Sequence, residues 1–525
     1  MILDASVRTI PEILLQARAR YPARPAVALR DPRRGFEWTY DDLVAFAAGV
    51  ARALPEHGVS RGDRVLIWGP NEPAWAGAYF GCLLAGAVLV PLDARTAPEF
   101  AAKVVEKTRP RLQLLGPTQA PVPGVPALRF ADLPPVDRAL PLPTPVPTED
   151  DLAEIVFTSG TTGTPKGVML THRNVVTDVR AMSECVAVLP TYRLLSLLPL
   201  SHMFEQAVGL GVALGGGASI VYVGTLRPDT IFEALREEHI TCILAVPQVL
   251  QLFMSAVERE VRRSGRERAW RLLHAVTPRL PLGWRRHLFR PVHERLGGQF
   301  LFFISGGAYL DPALAQQWEN LGIKVVQGYG ITECSPAVAA NSLEERNLRS
   351  VGRPIACNRV RLAPDGEIQV QGSNVTSGYW EDPAATAAAF LDGWYCTGDL
   401  ARQDAAGWLY FIGRKKNVVV LPSGENVYPE DLETLLVQQP GIRDAVVVGL
   451  ERPDGDVEVH AVLLAQDAAA AATAVKAVNR RVSIHQRLRG STLWPDEDFP
   501  RTLTLKARRP EIEARLRELH ATRGG

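Results

Sequence analysis

This chain of 525 residues has few cysteines and almost no net charge. The six cysteines, at positions 82, 185, 242, 334, 357 and 396, are scattered and form no CxxC pair. Their spacing argues against a disulfide framework and against a zinc knuckle, and it predicts a reducing, cytoplasmic compartment. The 58 basic and 57 acidic side chains leave a formal net charge of +1, so wholesale electrostatic capture of nucleic acid is excluded as the main function.

The sequence also has no recognisable secretory signal, internal repeat or clear membrane span. Asp4 precedes the first apolar run and no basic stretch leads into it, unlike a signal peptide. The lack of a repeat excludes a solenoid. One uncharged run, residues 74–92, is about as long as a membrane helix, but Gly86 and Pro91 divide it. We therefore predict a buried helix followed by a strand.

Short β-branched runs alternate with helix-like stretches through most of the chain, at 64–69, 87–93, 154–160, 218–224, 242–247 and 300–307. This rhythm predicts an α/β fold with mostly parallel sheets covered by helices. The proline-rich stretch 116–150 is typical of a surface connector. Beyond about residue 413 the pattern becomes α+β, with an alanine-rich helix over 467–489, and predicts a separate small domain.

The strongest local motif is TSGTTGTPKG, residues 158–167, directly after an apolar strand. Glycines and small hydroxyl residues let backbone N–H groups surround an anion, and Lys166 can donate to phosphate oxygens. The spacing differs from a Walker A loop, because Pro165 and Gly167 stand where glycine and a hydroxyl residue are required. A flexible Ser/Thr/Gly loop is the alternative interpretation, and we predict a phosphate cradle.

Three weaker motifs follow. GYGITE, residues 328–333, combines an aromatic ring, a hydroxyl and a carboxylate, which suit a base and a magnesium ion. GWYCTGD ends at Asp399, a candidate acceptor for a ribose diol, although a solvated turn aspartate is the simpler interpretation. GRKKN, residues 413–417, either supplies a fixed cation near the ribose or is simply a solvent-exposed charged segment.

Together with PLSHMFEQ (199–206) and SGENVYPEDLE (423–433), these motifs resemble in order and spacing the core motifs of the adenylate-forming, AMP-binding superfamily. That superfamily includes acyl-CoA synthetases, peptide-synthetase adenylation domains and luciferases, and the resemblance spans about residues 10–510. It is strongest to long-chain fatty acid–CoA ligases. It implies a large body over 1–413 that includes a small β-barrel-like part, a hinge at 414–417, and a mobile α+β lid over 418–525.

The resemblance also implies a role for each motif residue. Glu333 and Thr162 are placed near Mg²⁺, and Lys506 in PRTLTLK is the lysine that bridges the incoming carboxylate and the α-phosphate. Gly328 is placed in the acid-binding pocket. His202 and Phe204 are candidates to line an apolar tunnel for the acid, and the alternative for His202 is a hydrogen-bonded core histidine. The remaining nucleotide-binding positions are Thr158, Ser159, Gly160, Thr161, Gly163, Thr164 and Lys166 for the phosphates; Gly306, Gly307, Ala308 and Tyr329 for the adenine slot; Asp399 and Arg414 for the ribose; and Gly330 and Thr332 of the GYGITE motif.

Two positions depart from the pattern of many relatives: Asn417 replaces the hinge aspartate, and Leu505 replaces a glycine before the lysine. Asn tolerates unusual backbone angles, so the hinge interpretation stands. A misplaced lysine would impair the first half-reaction most. In the second half-reaction the resemblance places Gly424 beside the pantetheine arm of coenzyme A, where the absence of a side chain leaves room.

The sequence favours an apolar acid as substrate. The segment that carries an ammonium-binding aspartate in amino-acid-activating relatives has none here, and burial of an unpaired ammonium is costly. The arginine-rich segment 257–298 is either a solvated helical pair or a contact for an anionic membrane; dimerisation is also left open. We predict an ATP-, Mg²⁺- and CoA-dependent medium- to long-chain fatty acid–CoA ligase. Alternatives are an acyl-AMP ligase that loads a carrier protein or activates an aromatic acid, and a catalytically silent binder of acyl-adenylate or lipid.

Overall fold

The computed structural model describes residues 3–31, 35–141, 147–158, 165–225, 227–422, 425–451, 457–502 and 506–523. The chain forms two compact units. The first comprises Met1–Val360 and Val370–Tyr395, and the second comprises Arg361–Gln369 and Cys396–Gly525.

The first unit is built from alternating strands and helices. Its helices are α1 (Ile10–Arg20), α2 (Tyr40–Ala53), α3 (Pro73–Leu84), α4 (Pro98–Thr108), α5 (His172–Cys185), α6 (Ala213–Gly215), α7 (Pro228–Glu237), α8 (Pro247–Arg263), α9 (Glu267–Val276), α10 (Leu282–Leu288), α11 (Arg290–Arg295), α12 (Pro312–Asn320) and α13 (Pro383–Ala389). Its strands are β1 (Pro25–Arg30), β2 (Phe36–Thr39), β3 (Arg64–Gly69), β4 (Val88–Asp93), β5 (Leu112–Leu115), β6 (Ala127–Arg129), β7 (Leu152–Thr158), β8 (Lys166–Thr171), β9 (Arg193–Ser196), β10 (Ser219–Val223), β11 (Cys242–Ala245), β12 (Phe302–Ser305), β13 (Lys324–Gly330), β14 (Ala337–Ala340) and β15 (Arg353–Pro354).

A six-stranded sheet in the order β6-β5-β3-β4-β7-β8 forms one part of this unit. Its neighbouring strands are parallel except for the hairpin of β7 and β8. The uncharged run 74–92 forms most of α3 and β4, both almost wholly buried, which confirms the predicted helix and strand. No helix among the described residues is long and apolar enough to cross a membrane. The proline-rich stretch also contributes the edge strand β6.

A nine-stranded sheet in the order β15-β14-β13-β12-β11-β9-β10-β1-β2 forms the other part. The strands from β13 to β1 are parallel, whereas both edges are antiparallel. The predicted mostly parallel α/β architecture is thus confirmed. The largest hydrophobic core combines side chains of α1, α2 and α3 with side chains of both sheets, and Trp75 and Tyr40 are completely buried in it.

The division of the chain into units falls within a five-stranded sheet of β16 (Asn358–Leu362), β17 (Glu367–Gly372), β18 (Phe390–Leu391), β19 (Trp394–Gln403) and β20 (Leu409–Arg414). The predicted small β-barrel-like part is present as a curled half-barrel sheet.

The second unit continues with strands β21 (Val419–Val420), β22 (Asn426–Val427), β23 (Ile442–Glu451), β24 (Val457–Ala465) and β25 (Gly490–Leu493), and with helices α14 (Pro429–Val437), α15 (Ala468–Asn479) and α16 (Arg509–Arg523). Side chains within 419–516 form two hydrophobic clusters of their own, as a separately folding domain requires. The alanine-rich helix ends at Asn479 rather than at 489, because the Asn479 side chain bonds the backbone of Leu488 and turns the chain back.

Candidate active site

The predicted phosphate loop joins two paired strands. Thr158 at the end of β7 faces Lys166 at the start of β8 across an antiparallel pair. The hairpin therefore holds Lys166 at the mouth of the loop, half-buried. The loop residues Ser159, Gly160, Thr161, Thr162, Gly163 and Thr164 lie outside the described residues, and their phosphate and magnesium contacts stay predictions.

Tyr379 lies directly beside Lys166. Residues 378–380 run antiparallel to β8: Val168 bridges Tyr379, and the Trp380 N–H donates to the Gly167 carbonyl at 2.7 Å. This pairing places the Lys166 Nζ 5.1 Å from the centroid of the Tyr379 ring. At that separation the ring face attracts the ammonium and restrains the lysine side chain.

Tyr379 connects Lys166, which lies over its ring, to Glu333, which its hydroxyl contacts. This hydroxyl donates to Glu333 Oε1 at 2.9 Å and lies 3.0 Å from the Tyr395 hydroxyl. Burial and the nearby Glu333 charge raise the pKa of Tyr379, so the phenol remains a donor at neutral pH. Sequence reasoning missed Tyr379, which stands 46 residues from Glu333; its one local signal was the Gly-Tyr-Trp triplet at 378–380.

The carboxylate of Glu333 fits the predicted magnesium role. One oxygen accepts from Tyr379, and among the described residues no other bond to that side chain is formed. Mg²⁺ in nucleotide-binding enzymes typically uses one or two carboxylates together with substrate phosphates. Tyr379 thus fixes one carboxylate oxygen of Glu333, and the magnesium role of this residue stays a prediction.

The predicted adenine and acid-binding residues meet at the ends of β12 and β13. These strands are parallel, and Ser305 pairs with Gln327, so the glycines that follow them lie side by side. A Cβ on Gly306 would stand 3.2 Å from the Phe204 ring and 3.5 Å from the Gly328 carbonyl oxygen. Glycine at 306 thus allows the close approach of Phe204.

The remaining nucleotide positions surround this meeting point in the first unit. Gly307 has a φ of +80°, which favours glycine, and Ala308 follows it. Tyr329 pairs with Ala339 across β13 and β14, and Gly330 ends β13 before Thr332. The structure therefore brings Gly306, Gly307, Ala308, Gly328, Tyr329 and Phe204 together on neighbouring chain segments.

His202 and Phe204 lie on a segment that half-buried polar groups hold in place. The Phe204 N–H donates to His202 Nδ1 at 3.3 Å. Asn71 donates to the Leu198 carbonyl at 2.6 Å and accepts from the Leu200 N–H at 2.9 Å. These bonds fix the backbone just before the predicted pocket residues.

Glu205 begins a π-helix, Glu205–Val212, and is completely buried. Burial raises the pKa of Glu205 to about 8 against the opposing effect of Ser196, so the carboxyl is largely neutral at pH 7. A Cβ on Gly209 would stand 2.7 Å from that carboxyl group. Sequence reasoning missed this buried acid, because burial is a tertiary property.

The second unit gathers three predicted site residues. Asp399 and Arg414 pair across β19 and β20, with Arg414 Nε 3.2 Å from the buried Asp399 carboxylate. Lys506 lies close enough for both to influence its pKa. Burial, with the positive charges of Arg414 and Lys416, lowers the pKa of Lys506 to about 8, while Asp399 opposes the shift.

The predicted hinge residue Asn417 also has a defined partner. Its side chain donates to Glu430 Oε1 at 2.8 Å, on α14. Arg509 is 3.9 Å from Glu430 and bonds Glu433 on the same helix. The structure thus links the predicted hinge, through α14, to the segment that follows Lys506. Gly424 and Leu505 lie outside the described residues.

Comparison with known proteins identifies the class. Residues 14–380 match the family model described as AMP-binding enzyme. The long-chain-fatty-acid–CoA ligase FadD15 of Mycobacterium bovis is 31% identical over 468 residues, covering 79% of this chain and 76% of that protein. A feruloyl-CoA synthase from Amycolatopsis sp. is 31% identical over 435 residues, covering 80% of this chain and 82% of its own. This chain belongs to the AMP-binding enzyme family.

The fold agrees with that membership. The ATP-bound structure of MatB from Rhodopseudomonas palustris superposes with a TM-score of 0.80 at 24% identity, covering 97% of this chain and 99% of the other. The protein is accordingly an adenylate-forming enzyme of the AMP-forming acid–thiol ligase class.

Proposed function

We propose that this enzyme activates a medium- to long-chain fatty acid as its acyl-adenylate and transfers the acyl group to coenzyme A. The observation that carries the proposal is the ion pair of Asp399 and Arg414, whose charges both act on the pKa of Lys506. The partly desolvated ammonium of Lys506 can stabilise the negative charge that develops on an α-phosphoryl group, and Asp399 and Arg414 are the predicted ribose-binding residues.

In the first half-reaction, a carboxylate oxygen of the acid attacks the α-phosphorus of ATP. A bond forms between them, and the bond from the α-phosphorus to the bridging oxygen breaks, so pyrophosphate leaves. Lys506 neutralises charge on the α-phosphoryl oxygens, and Lys166 holds the departing phosphates. Glu333 would hold a magnesium ion, which would supply further neutralisation of the phosphates. Tyr379 orients both Lys166 and Glu333.

In the second half-reaction, the sulfur of coenzyme A attacks the acyl carbonyl and loses its proton. The carbon–oxygen bond to AMP breaks, which gives a thioester and AMP. We propose that residues 414–417 act as the hinge and 418–525 as the lid, with Gly424 beside the pantetheine arm. The bond from Asn417 to Glu430 supports a defined conformation at this hinge.

The segment around the predicted pocket residues His202 and Phe204 favours an apolar acid. Met203 and residues 207–212 are buried and lack charge. Glu205, the acid in this stretch, is buried and largely neutral at pH 7, so it cannot pair with an ammonium as a full charge. A free amino acid is therefore disfavoured. The fatty-acid–CoA ligase relative supports an aliphatic chain.

An aromatic acid is the second candidate. The feruloyl-CoA synthase relative is equally similar in sequence, and the Phe204 ring beside Gly306 could stack on a flat substrate.

Pyrophosphate release tests both candidates. Decanoate, palmitate, ferulate, benzoate and phenylalanine are each supplied with Mg·ATP, with and without coenzyme A, and thioester is measured in parallel. We expect palmitate or decanoate to give the highest kcat/KM and a CoA-dependent thioester. Preference for ferulate would favour the aromatic candidate. Adenylation without thioester would indicate a carrier-protein acceptor, and inactivity with every acid would refute the catalytic proposal. Lys506→Ala is the control for background.

A further inference from the structure

The surface formed by α9, α10 and their connection exposes large apolar side chains. Leu272 and Val276 on α9 are 67% and 46% exposed, and Trp284 and Leu288 on α10 are 65% and 38% exposed. We call these four residues, with the exposed arginines of 259–271, the basic apolar face. Neither helix contains a fully buried residue.

The exposure is a consequence of how these helices pack. Trp270 and Leu273 on the opposite side of α9 pack against the core, and Trp270 lies 5.4 Å from Phe289, which directly follows α10. Each exposed pair is spaced by four residues, so each forms a stripe along its helix. The helices therefore pack one face against the core, and the large apolar side chains of the other face are exposed to water.

The same segment is strongly basic. Residues 257–298 contain eleven arginines and four glutamates, a formal charge of +7, whereas the whole chain has +1. In the described part of the chain, Arg259, Arg262, Arg266, Arg268 and Arg271 are exposed and form no salt bridge. Their charge is available to an external anion.

We infer that the basic apolar face docks on the surface of an anionic lipid bilayer. Arginines are attracted to anionic headgroups, while Trp and Leu side chains enter the boundary between headgroups and acyl chains. Trp is well suited to that depth, since its ring is amphipathic. Protruding apolar side chains on short helices match a deformable lipid surface.

Other occupants fit less well. A second copy of the chain would bring two faces of like charge together in a symmetric dimer. Nucleic acid would be recognised by the arginines but would leave Leu272, Val276 and Leu288 without a role. Docking does not depend on the proposed function, although it would place the enzyme where fatty acids partition.

Vesicle flotation tests the inference with the full-length enzyme. Vesicles of phosphatidylcholine alone are compared with vesicles containing phosphatidylglycerol, at low and high salt. We expect binding only to the anionic vesicles and a decrease with salt. Arg266→Ala and Arg268→Ala should each weaken partitioning about fivefold, and the double variant Leu272→Ser/Trp284→Ser should abolish it.

Ile484→Ser is the matched control, because Ile484 is 79% exposed but lies in the other unit; it should bind like the wild type. Adenylation of a water-soluble short acid should be unchanged in all these variants, which shows that they fold. Equal flotation of Leu272→Ser/Trp284→Ser and wild type would overturn the inference. So would absence of flotation, or a face-dependent dimer or duplex-DNA complex formed without vesicle binding.

Discussion

The lowered pKa of Lys506 predicts an alkaline limit on adenylation. Burial and the charges of Arg414 and Lys416 lower this pKa to about 8, compared with about 10.4 for an unperturbed lysine. The ammonium is the active form, since only it neutralises the α-phosphoryl charge. It is about 90% populated at pH 7 and about 10% at pH 9. We therefore expect kcat/KM for adenylation to decrease about tenfold between these two values.

The assay is pyrophosphate release without coenzyme A, followed over pH 6–10. The pH profile of kcat/KM reports the free enzyme, whereas that of kcat reports the complex. Bound ATP brings negative charge close to Lys506 and raises its pKa. The alkaline limb of the pH profile, where activity decreases, should therefore lie at higher pH for kcat than for kcat/KM.

Two substitutions test whether Lys506 causes the alkaline limb of the pH profile. Lys506→Arg should flatten it, because a guanidinium stays charged throughout this range, while Lys506→Ala should lower adenylation about 10²- to 10³-fold at pH 7. Lys415→Arg is the control: Asp365 and Glu367 bind Lys415 and raise its pKa, so the limb should persist. An unchanged limb in Lys506→Arg would refute the assignment. Equal loss of adenylation and of thioester formation from supplied acyl-AMP in Lys506→Ala would refute the role.

Three further predictions follow from the first unit. Tyr379→Phe removes the hydroxyl bonded to Glu333 and should lower adenylation about tenfold or more, with a raised Mg²⁺ requirement but the same melting temperature; an unaltered Mg²⁺ titration would contradict this. Gly306→Val should displace Phe204, which a Cβ would approach to 3.2 Å, and raise the KM for ATP or acid between about ten- and a hundredfold; steady-state kinetics decide it. Glu205 holds its proton in the folded state up to pH about 8 but loses it near pH 4.3 when unfolded, so folding stability decreases as pH rises through this window. The melting temperatures of Glu205→Gln and wild type are compared at pH 5, 6.5 and 8. We expect the melting temperature of the variant to rise relative to that of the wild type as pH increases, and a constant difference between the two would exclude the linkage.

Sequence patterns alone predicted the architecture well. The runs at 64–69 and 87–93 became neighbouring parallel strands, because β-branched residues between helical stretches have few alternatives to a buried parallel strand. The uncharged run 74–92 was correctly divided into helix and strand, since glycine and proline are local breakers. The order and spacing of the motifs also indicated the family, and the match over residues 14–380 confirmed it.

The motifs located Lys166, Glu333 and Lys506 in the sequence but said nothing of their neighbours. Tyr379 reaches Glu333 from 46 residues away, and Phe204 meets Gly306 only because of how its segment lies against β12 and β13. Likewise, amphipathicity did not reveal that Trp270 faces the core while Trp284 faces solvent. Residue type and local spacing fix which groups can take part in chemistry or burial. The contacts between these groups, and the burial of each one, depend on strand register and on packing between distant segments. Only the tertiary structure decides them.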